Sequence, residues 1–256
     1  MSNADESSKS SVVIEFRGVD YRLGDQNLLH DISFSVLAGE TLVLLGRSGA
    51  GKTTALKLIN RLLTPTSGEV KVNGRSTTSW DAILLRRSIG WVIQESGLFP
   101  HYSVERNIAV VPRLERWAPE RVNARVSELM QVVGLESNLT SRYPHQLSGG
   151  QRQRVGVARA LAADPGILLM DEPFGALDPL TRAELQKEFL ALQRRLRKTV
   201  VMVTHDLREA LLLGTRIALF DSGKLVGVFT SHDFVHSRDE RVREYVGPFR
   251  EAALPI

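Results

Sequence analysis

The sequence predicts an α/β fold with a β-rich N-terminal part and a helical insert in its middle. Three observations predict it. Val12–Tyr21 and Asp31–Val36 are rich in β-branched and aromatic residues and read as strands. Thr41–Leu45, Ile167–Met170 and Val200–Val203 are short, mostly apolar runs, as expected of strands buried in a parallel sheet. Between Ser103 and Ala163 the apolar spacing is helical, with few strand signals.

The remaining elements follow in order. Gly39 marks a turn before Thr41–Leu45. Gly46–Gly51 opens a helix that should run through Thr54–Leu63. Gly68–Gly74 sets Val70 and Val72 between polar residues, which predicts an edge hairpin strand. Pro119–Val133 and Gln151–Ala163 are the best helices of the insert. Thr181–Arg197 reads as a long amphipathic helix joining the second and third buried strands. Arg216–Phe220 and Leu225–Phe229 flank Asp221-Ser222-Gly223-Lys224, a turn sequence that predicts a hairpin.

A chain of 256 residues forms one large domain or two intimately packed ones, and it buries a core without staples. It has no cysteine, which excludes a disulfide framework and a thiolate metal site and fits a reducing compartment. The formal net charge is +4, but acidic and basic residues are interspersed, which argues against a nucleic-acid face. The densest basic run, Arg194-Arg195-Leu196-Arg197-Lys198, reads as the solvated C-terminal end of a helix. Residues 1–10 are polar and lack an apolar core, so they read as a disordered leader rather than a signal peptide. No apolar stretch approaches the roughly 18–20 residues that span a bilayer, so a soluble or peripheral chain is expected.

The strongest local signal is Gly46-Arg47-Ser48-Gly49-Ala50-Gly51-Lys52-Thr53, which matches G-x-x-x-x-G-K-[ST] between a strand and a helix. Its glycines let backbone N–H groups converge on phosphate oxygens, and the helix start adds a positive dipole end. Lys52 supplies a cation for the terminal phosphates, and the Thr53 hydroxyl is a hard oxygen ligand for Mg²⁺. Thr54 completes the phosphate-binding stretch. The motif predicts a P-loop core around a mixed, mainly parallel sheet.

Ile167-Leu168-Leu169-Met170-Asp171-Glu172 ends a strand in two carboxylates. Successive strand side chains point to opposite sides, so the two acids can take different jobs. Asp171 suits a Mg²⁺ shell and Glu172 suits polarising an attacking water. His205 follows a third buried strand, where open α/β sheets bind ligands. Gln94 also lies at a strand end; alone it reads as a surface amide. Leu147-Ser148-Gly149-Gly150-Gln151 precedes a helix and forms either an ordinary N-cap or a second anion-binding loop. Spacing does not say whether both loops serve one nucleotide.

The order of these motifs, with Ala176-Leu177-Asp178 and His205 downstream, resembles the ATP-binding cassette (ABC) family from Val12 to about Gly247. The resemblance implies an ATPase fold with an N-terminal antiparallel β subdomain and a helical subdomain over about residues 95–163 that carries the signature motif. It implies an ATPase domain over residues 11–247 and a tail over residues 248–256. It further implies that Tyr21 stacks on adenine and that Gln94 touches Mg²⁺ and senses membrane subunits. Ser148, Gly149, Gly150 and Gln151 would bind the γ-phosphate of a nucleotide held by a second copy of the chain. Asp178 would link the two sites, with Glu172 as the general base and His205 as the switch histidine. Arg47 departs from the family pattern, which often has proline or a small residue there. The loop works mainly through backbone amides, so little consequence is expected.

Ile89–His101 and Asn107–Pro112 are similar to segments of importers of quaternary amines such as glycine betaine, choline and carnitine. The resemblance then implies a head-to-tail homodimer that binds ATP and Mg²⁺. It would serve separate permease subunits and, indirectly, a solute-binding protein, at the cytoplasmic side of the membrane. Many such subunits carry two small regulatory domains after the cassette; the sequence stops at Ile256 without them, and this departure puts in doubt any ionic-strength sensing attributed to those domains. Another transport solute or lipid and lipoprotein export is the alternative. DNA-repair and translation ATPases fit less well: the stretch from Lys52 to Ser148 has no heptad run and no cysteine, and there is a single P-loop.

Overall fold

The computed structural model of the chain describes residues 11–94 and 97–252. The expected leader at residues 1–10, Glu95 and Ser96 of the importer-like segment, and the last four residues of the tail lie outside the described residues. The chain opens with β1 (Val12–Leu23), β2 (Gln26–Leu37), β3 (Thr41–Leu45), α1 (Lys52–Ile59), β4 (Ser67–Val72) and β5 (Arg75–Ser76). Next come α2 (Ala82–Ser88), β6 (Ile89–Val92), α3 (Val104–Ile108), α4 (Val110–Leu114), α5 (Pro119–Val132) and α6 (Gly149–Leu161). Then β7 (Ile167–Asp171), α7 (Pro179–Leu196), β8 (Thr199–Thr204) and α8 (Leu207–Leu213) alternate. The described part closes with β9 (Arg216–Asp221), β10 (Lys224–Thr230), α9 (Ser231–Val235) and α10 (Glu240–Ala252).

These strands form two sheets. The smaller is antiparallel, in the order β2-β1-β4-β5. The larger has the order β10-β9-β3-β8-β7-β6, and every pairing but the β9–β10 hairpin is parallel. The helices α3 to α6 fall between β6 and β7.

The middles of the parallel strands are apolar because both of their faces are covered, and polar residues stand only at their ends. Alternate residues feed two separate cores, as the two-residue strand period requires. Leu42 and Leu44 of β3, Leu169 of β7 and Val201 and Val203 of β8 join the core shared with the small sheet. Val43, Leu45, Met170, Val200 and Met202 join the core shared with the helices. In the first of these, Phe16 and Phe34 stack with ring centroids 4.4 Å apart, and Phe34 meets Phe220 of β9 edge-on.

Two expectations change. The first helix stops at Ile59, not Leu63: Asn60 accepts a hydrogen bond from Leu62 N–H, and Arg61 turns left-handed with φ 54°. Side chains that bond the local backbone compete with helix continuation. The strand around Val70 and Val72 is not an edge strand, because β5 pairs on its far side. Two residues are too short to give a strand signal in the sequence. Among the described residues no helix is long and apolar enough to cross a membrane.

Candidate active site

The P-loop joins the end of β3 to the start of α1, and two glycines are dictated by space. A Cβ on Gly46 would lie 2.4 Å from the Phe220 carbonyl oxygen. Gly51 has φ +96°, and a Cβ there would lie 2.5 Å from Leu29 Cδ2. Only glycine fits such a left-handed, crowded position at low cost. Arg47, Ser48 and Gly49 form the exposed crown of the loop, whereas Ala50 is buried. Lys52 is only 4% exposed; its ammonium donates to the carbonyls of Gly46 and Arg47 at 2.7 and 2.8 Å. Burial holds its pKa below the usual lysine value, against the pull of the Glu172 and Asp171 charges. Thr54 follows in the first turn of α1.

Asp171 is the last residue of β7, and its carboxylate accepts a hydrogen bond from the Thr53 hydroxyl at 2.8 Å. Burial pushes the carboxyl pKa up, and the Thr53 bond pulls it back. Two hard oxygens are thus in contact, from elements far apart in sequence. Glu172 does not continue the strand, as simple alternation predicts. It turns left-handed with φ 43°, while its N–H still donates to the Val203 carbonyl of β8. A non-glycine residue held there stores about 1–3 kcal/mol, and such strain clusters at functional sites. The turn brings Glu172 Oε2 to 3.3 Å from His205 Nδ1. Lys52, Thr53, Asp171, Glu172 and His205 therefore gather at the carboxyl ends of the adjacent strands β3, β8 and β7, where open α/β sheets bind ligands.

Gln94 lies in an exposed turn two residues past β6 rather than at the strand end itself. Tyr21 lies on β1 opposite Leu29, the residue that crowds Gly51. The residue is 9% exposed and is part of the small-sheet core, so little of it is offered to a stacking base.

Ser148 caps α6 in a reciprocal box: its hydroxyl accepts from Gln151 N–H at 3.2 Å, and the Gln151 side chain accepts from Ser148 N–H at 2.9 Å. Gly149 approaches Leu177, and a Cβ on Gly150 would lie 2.8 Å from Thr181 Cγ2. The signature therefore seats against the start of α7. Asp178 caps α7, accepting from Thr181 N–H at 3.1 Å, and the bonds from Thr181 hold its pKa low. Ser148 and Asp178 are exposed. Among the described residues no hydrogen bond or ion pair links either of them to residues 46–54. The structure thus gathers two groups, the P-loop with its acids and histidine, and the signature with Asp178. Sequence reasoning missed Arg182 and Glu209, which lie beside Glu172 and His205; each sits among other charges in an ordinary helix.

A P-loop bonded to a strand-end acid, beside a second acid and a histidine, defines a nucleotide-hydrolase domain. The ABC transporter family model matches residues 29–175, and the chain belongs to that family. It is 53% identical over 214 residues to the glycine betaine uptake system ATP-binding protein YehX of Escherichia coli (strain K12), covering 84% of this chain and 70% of that protein. It is 50% identical over 220 residues to the osmoprotectant import ATP-binding protein OsmV of Salmonella typhimurium, covering 86% of this chain and 57% of that one. The chain thus falls short of the full length of both. The dimeric, post-hydrolysis ATP-binding cassette MJ0796 bound to ADP and Pi superposes with a TM-score of 0.76 at 34% identity, over 85% of this chain and 98% of that one. The cbiO1 structure from Clostridium perfringens, part of the ABC transporter complex cbiONQ, gives 0.81 at 24% identity, over 94% of this chain and 98% of that one, and shares the fold. The predicted fold class and family resemblance stand.

Proposed function

We propose that the chain binds ATP with Mg²⁺ and hydrolyses it as one half of a head-to-tail homodimer, powering import of a quaternary-amine osmoprotectant such as glycine betaine. The observation that carries the hydrolytic part is the convergence of Lys52, the Thr53–Asp171 pair and the Glu172–His205 pair on neighbouring strand ends. Thr53 and Asp171 would hold Mg²⁺, with Gln94 as a further ligand; there the cation neutralises phosphate charge. Lys52 and the backbone of Gly46–Thr54 bind the phosphates. Glu172 accepts a proton from the attacking water, and His205 orients Glu172 and the γ-phosphate.

The dimer follows from what one chain lacks. The exposed start of α6, capped by Ser148, offers N–H groups to an anion. Among the described residues no hydrogen bond or ion pair ties it to its own P-loop, and it serves the P-loop of a second copy, with Asp178 between the two sites. The dimeric MJ0796 cassette supports this arrangement. Closing the dimer on ATP and opening it after hydrolysis gives the permease a two-state element.

A groove of about 310 Å³ lined by Arg87, Trp91, Ile93, Phe99, Val110 and Arg159 lies beside the importer-like segment. It suits a helix from a separate permease subunit, and this supports a peripheral position on the cytoplasmic face of the membrane. A solute-binding protein acts only through that permease. The names of the relatives support the quaternary-amine reading.

Two experiments test this. Glu172→Gln should elute as a dimer with MgATP and as a monomer with ATP and EDTA; a monomer in both removes the metal-dependent dimer. The chain reconstituted with its permease and binding protein should drive uptake of labelled glycine betaine. Uptake of only unrelated solutes would refute the substrate and leave the ATPase intact. The adenine contact has its own test. Tyr21→Ala should weaken ATP binding by about 1–3 kcal/mol, by analogy with base stacking, and Tyr21→Phe should not. An unchanged Kd in a folded Tyr21→Ala chain removes Tyr21 from the site.

A further inference from the structure

Behind Glu172 and His205 lies a buried polar bridge that the hydrolytic roles above leave unused. Arg182 and Gln186 stand four residues apart on α7, hence on one face of the helix. The Arg182 guanidinium donates to the carbonyls of Gly175 and Leu177, at 3.3 and 3.1 Å, in the loop that leads to Asp178. Gly175 N–H in turn donates to the Glu172 carbonyl at 3.2 Å. Arg182 therefore grips the backbone that fixes both Glu172 and the approach to Asp178.

The same face reaches the histidine. Gln186 donates to Glu209 Oε1 of α8 at 3.0 Å, and both side chains are buried, at 9% and 5% exposure. Burial pushes the Glu209 pKa up, while bonds from the Thr204 hydroxyl and Gln186 pull it down. Thr204 directly precedes His205 and accepts from Asp206 N–H at 3.1 Å. Arg182 is the positive charge that faces Glu209. Arg182, Glu209, Glu172, Thr204 and His205 also share the lining of a small polar cavity of about 20 Å³, room for a single water. The Arg182 Nε there is buried with no protein partner.

An isolated buried carboxylate is expensive, and a fully bonded network in low dielectric holds one geometry. We propose that Arg182, Gln186 and Glu209 are positioning residues that lock the Glu172–Gly175–Asp178 loop to the Thr204–His205 strand end, so that base, histidine and dimer-spanning loop move as one unit. This rests on the hydrolytic reading above. It adds a route by which a change at Asp178, on the dimer face, reaches the base.

The test is steady-state ATP hydrolysis by Arg182→Met, Glu209→Leu, Glu209→Gln and the double variant Arg182→Met/Glu209→Leu, with thermal unfolding of each. Glu172→Gln serves as control. Arg182→Met and Glu209→Leu should each lower kcat by about 10-fold or more with KM for ATP within about twofold, since small misplacements of catalytic groups cost rate. Glu209→Gln keeps the hydrogen-bonding shape and should restore most of kcat. The double variant should be little worse than either single one, as coupled residues are non-additive. Wild-type kcat in both single variants overturns the bridge, as does a loss that appears in KM instead. If Glu209→Leu does not fold, Arg182→Met and Glu209→Gln decide: a full kcat in the first or a dead second also overturns it. A Glu172→Gln control that hydrolyses normally places the failure in the hydrolytic reading instead.

Discussion

Glu172→Gln should keep ATP binding and lower turnover by about 10²–10⁴-fold, the range that a positioned general base contributes. The amide matches the carboxylate in shape but cannot accept the water's proton. Its backbone stays in the left-handed turn, because the Glu172 N–H bond to Val203 is a main-chain bond. The Lys52 bonds to Gly46 and Arg47 and the Thr53–Asp171 bond do not involve Glu172, so phosphate and metal contacts survive. The variant should therefore trap the ATP-bound dimer. Lys52→Ala separates the two functions from the other side. It removes the buried cation and the tie that curls the loop, so affinity for ATP falls together with turnover. Equilibrium binding and single-turnover hydrolysis measure both. Wild-type hydrolysis by Glu172→Gln would refute Glu172 as the base.

Much of this site is legible in the sequence because its parts are local. The P-loop, the Asp171-Glu172 pair and the Ser148–Gln151 cap each occupy a handful of consecutive residues with a physical signature of their own. Strand period alone places Val43 and Leu45 on one face and Leu42 and Leu44 on the other. What stays hidden depends on space and on distant partners. The left-handed turn at Glu172 reflects no residue preference, since glutamate rarely adopts it; its main chain is bonded there to Val203 of β8 and to Gly175. The Gln186–Glu209 bond joins α7 to α8, two helices distant in sequence, and no local pattern in either announces the partner. The early end of α1 depends on one asparagine bonding the backbone beyond it. Tyr21 shows another limit: the family resemblance implies an adenine contact there, and the sequence does not show that the fold leaves the residue only 9% exposed.

The head-to-tail arrangement has a sharper test than any single substitution. In a twofold dimer each interface contact occurs twice, so in the head-to-tail arrangement a P-loop of one copy meeting the signature of the other entails the reverse contact as well. Lys52→Ala chains alone have no working P-loop, and Ser148→Arg chains alone have no working signature. Arginine at Ser148 would also break the reciprocal cap with Gln151 and fill the exposed start of α6. Mixing the two makes heterodimers in which one site combines both defects and the other combines neither. About half of randomly paired dimers are mixed, each with one intact site of two, so recovery reaches at most about a quarter of the wild-type rate. If the signature instead served the P-loop of its own chain, every site in the mixture would carry a defect. Activity would then stay at the level of the single variants. ATP-dependent dimer formation in the mixture, followed by light scattering, gives the same readout without turnover. Recovery requires that Ser148 and Lys52 act on one nucleotide from different chains.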